Sequence, residues 1–186
     1  MVIQYFGEEC FRLQSGELSI LVNPSSNRLK GDVVLKTIAA TDAVPEQDEF
    51  IFPGEYETRG IEMHGFQVEQ ESTATFVKTV FEVIWEGMKF VFLGHISKSI
   101  EGEWLDNLAE PDILFVPTGD SHFIDPHEAA KLIKQIEPAV IIPSYRKKPE
   151  EFLKAMGEKG EALERLVIKK KDLLDKKLQV IVLETK

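Results

Sequence analysis

The chain has 186 residues, 43% hydrophobic and 29% charged, a balance that suits one packed globular domain and not a disordered segment. Twenty-two basic against thirty-two acidic residues leave a net charge of −10, a field that repels polyanions and argues against nucleic acid as a partner. The lone cysteine, Cys10, excludes an internal disulfide and a cysteine-rich zinc site, and its apolar neighbours point to a buried thiol.

Residues 2–6, 10–14 and 18–22 read as three short strands, separated by Gly7-Glu8-Glu9 and Ser15-Gly16-Glu17 turns. The start, Met1-Val2-Ile3-Gln4-Tyr5, lacks the basic-then-apolar plan of a signal peptide, and no apolar run approaches the roughly 18 residues of a membrane span. A cytoplasmic protein with no membrane contact is therefore expected. A polar loop, Asn23-Pro24-Ser25-Ser26-Asn27, leads to a buried strand at 32–37 that is expected to empty into a loop at Thr37. Residues 41–49 read as an irregular connection.

Phe50-Ile51-Phe52 opens a second β-rich half, turned by Pro53 to Glu57 and followed by a strand over 60–68. Residues 74–85 and 88–93 form a hairpin joined at Glu86-Gly87. Trp104, Leu105 and Leu108 fit a short helix. Asp112 to Val116 and Ala139 to Ile142 are buried strands, each stopped by a proline. Between them Asp125-Pro126-His127-Glu128 is a capped helix start, with Ala129, Leu132, Ile133 and Ile136 on one face. A helix follows Pro149, and strands at 164–169 and 177–183 close the chain. Strands buried on both faces need cover on both, which predicts a layered α/β domain over residues 1–186. The Lys147-Lys148 and Lys169-Lys170-Lys171 runs read as solvated surface.

Several stretches together resemble the metallo-β-lactamase superfamily, in particular the small metal-dependent hydrolases related to ascorbate-6-phosphate lactonase. They are Ile3 to Phe11, Ile20 to Pro24, Pro53 to Glu57, Phe90 to Gly94, Thr118 to Asp120, Asp125 to Ala130 and Ile141 to Pro143. The resemblance implies an αββα four-layer sandwich with its site along one edge of the two sheets. It also implies hydrolysis by one or two zinc-type ions, which polarise the substrate and acidify a bound water.

That chemistry needs imidazoles and carboxylates converging on one point. Where the family places Thr-His-x-His-x-Asp-His, this chain reads Thr37-Ile38-Ala39-Ala40-Thr41-Asp42-Ala43, so only Asp42 remains. The Gly-Asp of the family reads Gly94-His95, and the final histidine falls at Ser144 or Tyr145. The early Asp-Pro is Asn23-Pro24, the Gly-His position is Glu8, and the mid-chain histidine has only Gln67, Glu69, Gln70 and Glu71 as candidates.

Of the surviving histidines, His95 lies at a hairpin end near this site, His122 in a loop, His127 on a helix surface, and His64 in a strand without a motif. The Glu55/Glu57 pair reads as solvated, no Gly-x-Ser-x-Gly elbow is present, and no phosphate-binding glycine loop occurs. The first reading is a non-catalytic protein whose remnant cleft, lined by Ile38, Ala40, Asp42, Ala43, His95, Asp120 and Tyr145, binds a small ligand or a protein partner. The alternative is a hydrolase holding one zinc or manganese ion through His95 and Asp42, with Asp120 or His122 as further donors. A third is a structural subunit that associates with itself as a homo-oligomer.

Overall fold

In the computed structural model, which describes residues 1–118, 122–145, 149–159, 161–173 and 178–186, two sheets stack face to face. The first is built from β1 (Val2–Tyr5), β2 (Phe11–Ser15), β3 (Leu18–Val22), β4 (Val33–Leu35), β6 (Glu49–Phe50) and β14 (Leu166–Val167), in the order β14-β1-β2-β3-β4-β6. The second runs β13 (Glu161–Leu163), β15 (Gln179–Leu183), β12 (Val140–Tyr145), β11 (Ile113–Thr118), β10 (Met88–Phe92), β9 (Phe76–Trp85), β8 (Ile61–Gln67) and β7 (Gly54–Thr58). A short strand, β5 (Ile38–Ala40), adds to β9.

Alternation along the strands sorts the apolar residues into two cores. Phe11, Leu13, Phe81, Val83, Phe92 and Phe115 fill the space between the sheets, with Phe92 stacked on Phe115 at 4.3 Å. Val80, Val91, Leu114, Val116 and Ile141 face the other way and are covered by α1 (Pro126–Ile136) and α2 (Glu150–Met156). Buried strands 112–116 and 139–142 need both covers, and they have them. Cys10 is fully buried, and burial pushes its thiol upward from the ordinary value. Among the described residues no helix is long and apolar enough to cross a membrane.

Local chemistry set the clearest boundaries. Glu86 and Gly87 both take positive φ (53° and 71°), the pair that a two-residue hairpin with the right twist requires. Asp125 caps α1 by accepting from the N–H groups of His127 and Glu128, at 2.8 and 3.3 Å, ahead of Pro126.

Elsewhere tertiary pairing overruled the sequence pattern. The segment after Thr37 is not a free loop but β5, whose Ile38, Ala39 and Ala40 pair with Lys78, Val77 and Phe76. The reason is that β9 outruns β10 and leaves an open edge beyond Phe81. Phe50 belongs to the first sheet, opposite Leu35, and Glu55 and Glu57 lie on strand β7, not in a turn. The closing strands are also shorter than expected, because the run at 164–169 forms only Leu166–Val167 against β1.

Candidate functional site

The strands β10 and β5 lie end to end along β9, so the segment leaving β10 at Gly94-His95 meets the segment entering β5 at Thr37. Asn23, in the left-handed region at φ 46°, clamps this junction. Its side-chain oxygen accepts from the Thr37 N–H at 2.8 Å, and its amide nitrogen donates to Thr37 Oγ1 at 3.0 Å. Thr37 Oγ1 in turn lies 2.7 Å from Nδ1 of His95. Thr37 Oγ1 also lies 3.2 Å from Asn23 Oδ1, so its hydroxyl links Asn23 to the Nδ1 edge of the His95 ring. Burial first, and the Lys78 ammonium second, push His95 down to about 4, so the imidazole is neutral at pH 7.

Lys78 stands opposite Ile38 in the β5–β9 register. Its Nζ is 2.6 Å from Glu71 Oε2, and both side chains are largely buried. Glu71 also accepts from the Ser97 N–H at 2.9 Å, the Ser97 hydroxyl at 2.7 Å and the Lys98 N–H at 3.0 Å. Burial alone would raise this carboxyl, but Lys78 and Ser97 outweigh it and hold Glu71 below the ordinary range. Glu71 thereby ties the loop carrying His95 to β9. Glu71→Ala should cost about 2 kcal/mol, since it strands three donors and a half-screened ammonium. A urea midpoint unchanged from wild type would remove Glu71 as the anchor.

The other expected residues scatter. Ile38 and Ala43 are half-buried, Ala40 is exposed, and Asp42 is exposed in a turn closed by the Ala43 N–H on Ala40 O at 3.1 Å. His122 is exposed before α1, while its neighbour Phe123 lies 6.2 Å from the His95 ring. Tyr145 ends β12, paired with Thr118. Asp120 lies outside the described residues. His127 is exposed in the first turn of α1.

Two features of the site had no motif to announce them. One is the Lys78–Glu71 pair. The other is Glu9, only 3% exposed, which bonds the buried Ser144 hydroxyl at the end of β12. Ser144 occupies one of the two positions where the family's last histidine was sought. Burial pushes Glu9 up to about 8, against the opposing effect of Ser144. The signal available was a carboxylate embedded between Gly7 and Cys10, flanked by strands whose alternation buries them.

Among the described residues, the side chains at these positions do not supply the family's metal donors. His95 has its Nδ1 engaged by Thr37, which leaves Nε2 as the ring atom not held by that contact. The side chains of Ile38, Ala40 and Ala43 offer no donor atom, and the Lys78 ammonium, paired with Glu71, lies close enough to bear on His95. Among the described residues no three His, Cys, Asp or Glu side chains converge as a metal site.

Residues 2–145 match the family described as the beta-lactamase superfamily domain. A metal-dependent hydrolase of Archaeoglobus fulgidus is 27% identical over 96 residues, 48% of this chain and 42% of that protein. A second, from Methanopyrus kandleri, is 25% identical over 155 residues, 75% of this chain and 67% of its own length. A solved structure from Thermotoga maritima, assigned to the zinc-dependent hydrolases of the metallo-β-lactamase superfamily, superposes with a TM-score of 0.77 at 23% identity. That superposition covers 98% of this chain and 99% of the other, and at this identity it speaks for the fold alone.

Proposed function

The chain belongs to the beta-lactamase superfamily, and from that premise we propose that it is a member working without the hydrolytic metal centre, whose remnant cleft binds a small ligand or a protein partner. One observation carries this reading. His95, at the family's Gly-Asp position, is held neutral by burial first and second by the Lys78 ammonium that Glu71 fixes opposite Ile38. Half-buried Ile38 and Ala43 support the same reading, since apolar side chains there leave no buried charge unpaired. A cytoplasmic setting accords with the buried, unpaired Cys10 thiol.

The test is metal analysis of the purified protein, followed by calorimetric titration with zinc and with manganese. The expected result is no stoichiometric binding and a thermal midpoint indifferent to chelator. Binding of one equivalent that disappears in His95→Ala would instead establish a reorganised single-metal hydrolase.

A further inference from the structure

On the far side of the second sheet from the space between the sheets, β7, β8 and β9 set Glu55, His64 and Glu82 in one cross-strand row. Their neighbours Met63, Phe81 and Val83 point into the inter-sheet core, so this row faces outward. There a cleft of about 550 Å³ opens, lined by Glu55, His64, Phe66, Glu82, Lys89 and Asn107 among others. It draws on none of the residues around His95 and is independent of the reading above.

The hydrogen-bond inventory of this cleft is one-sided. Glu82, 5% exposed, takes His64 Nδ1 at 2.9 Å on one oxygen and Lys89 Nζ at 2.8 Å on the other. Lys89 gives its remaining two protons to the carbonyls of Asn107 and Ala109, at 2.5 and 3.0 Å. All three ammonium protons are thus spent inside the protein. Glu82 engages Nδ1 of His64, so Nε2 is the ring nitrogen left toward the cleft. The exposed Glu55 carboxylate stands directly across from His64 in the strand register. The exposed Glu55 carboxylate is an acceptor facing the cleft, and the fixed cation is neutralised by its buried partner. Phe66, stacked on Trp104 at 5.3 Å and 11°, adds a rigid apolar wall on the same strand face.

We propose that this cleft binds a primary organic ammonium ion on an apolar body, its protons shared between Glu55 and Nε2 of His64 and its body laid against Phe66. The exposed Glu57 and Glu62, the next outward pair of the same two strands, add an attractive field for a cation. A carboxylate or phosphate would meet the Glu55 carboxylate, with the Asn107 side-chain amide as a neutral donor in the lining.

Phenethylammonium chloride is a suitable probe, titrated by calorimetry at low salt and followed by the nitrogen-15 shifts of the His64 ring. Saturable binding is expected, with the Nε2 signal moving and Nδ1 nearly still. Glu55→Gln and His64→Gln should each weaken it at least ten-fold, whereas Glu17→Gln, the same charge change on the first sheet, should leave it unchanged. Neutral phenethyl alcohol should not bind. Absence of amine binding to the wild-type protein, or equal affinity in the Glu55 and His64 variants, overturns the proposal. So does zinc chloride alone binding more tightly than the amine through the same two residues, which would make this a metal site.

Discussion

Glu9→Gln should flatten the pH dependence of stability between about pH 5 and 8. Glu9 sits at φ 68° in the loop between β1 and β2, enclosed by protein and bonded to Ser144. Burial raises its pKa from the ordinary 4.5 to about 8, so the folded chain keeps a proton that the unfolded chain has already released. Its contribution is therefore complete below about pH 4.5 and is lost as pH rises through 8. At roughly 1.4 kcal/mol per unit, the loss over that window is on the order of 3–5 kcal/mol. Glutamine preserves the size and a hydrogen bond to Ser144 but carries no proton to lose. Urea unfolding of both proteins at pH 5, 6.5 and 8 isolates the difference, because all other titrating groups are common to the two. Curves that stay parallel across this range would show that Glu9 is already ionised when folded.

Gly94→Ala should be strongly destabilising, for a steric reason at Thr37. Gly94 has φ +62°, and a Cβ there would overlap Cβ and Oγ1 of Thr37. Left-handed strain of about 1–2 kcal/mol and overpacking of about 1–3 kcal/mol together predict a loss of about 2–5 kcal/mol. Thr37 cannot yield without breaking its bonds to Asn23 and His95. Gly60→Ala supplies the control: its φ is +74° but nothing lies within 4 Å of the added carbon, so only the backbone strain applies. Equal shifts in the two urea midpoints would refute the clash at Thr37. A larger shift for Gly94→Ala, with a perturbed His95 imidazole signal, is the expected outcome. The glycine of the family's Gly-Asp is thus required here by its left-handed backbone and by the packing of Thr37.

The elements governed by short-range chemistry could be read directly from the residues. The Asp125-Pro126 cap, the Glu86-Gly87 turn and the apolar strands 112–116 and 139–142 each depend on contacts within a few positions or on burial of a continuous run. The same holds for positions 38, 40 and 43, since isoleucine and alanine carry no side-chain metal donor in any fold. Their place in a fixed order of motifs made the family legible as well.

Tertiary structure decided what stands in the site instead. That Ile38 faces Lys78 depends on β5 pairing with the overhang of β9, which no residue in 37–43 announces. Glu71 finds Ser97 across 26 positions and Glu9 finds Ser144 across 135, so neither leaves a periodic trace. His64, without a motif in the sequence, gains its setting only from the register that places Glu55 on one side and Glu82 on the other. Periodicity and capping are properties of a segment and its own backbone. The charge state and partners of a side chain follow from burial and strand register, which exist only once distant segments have met.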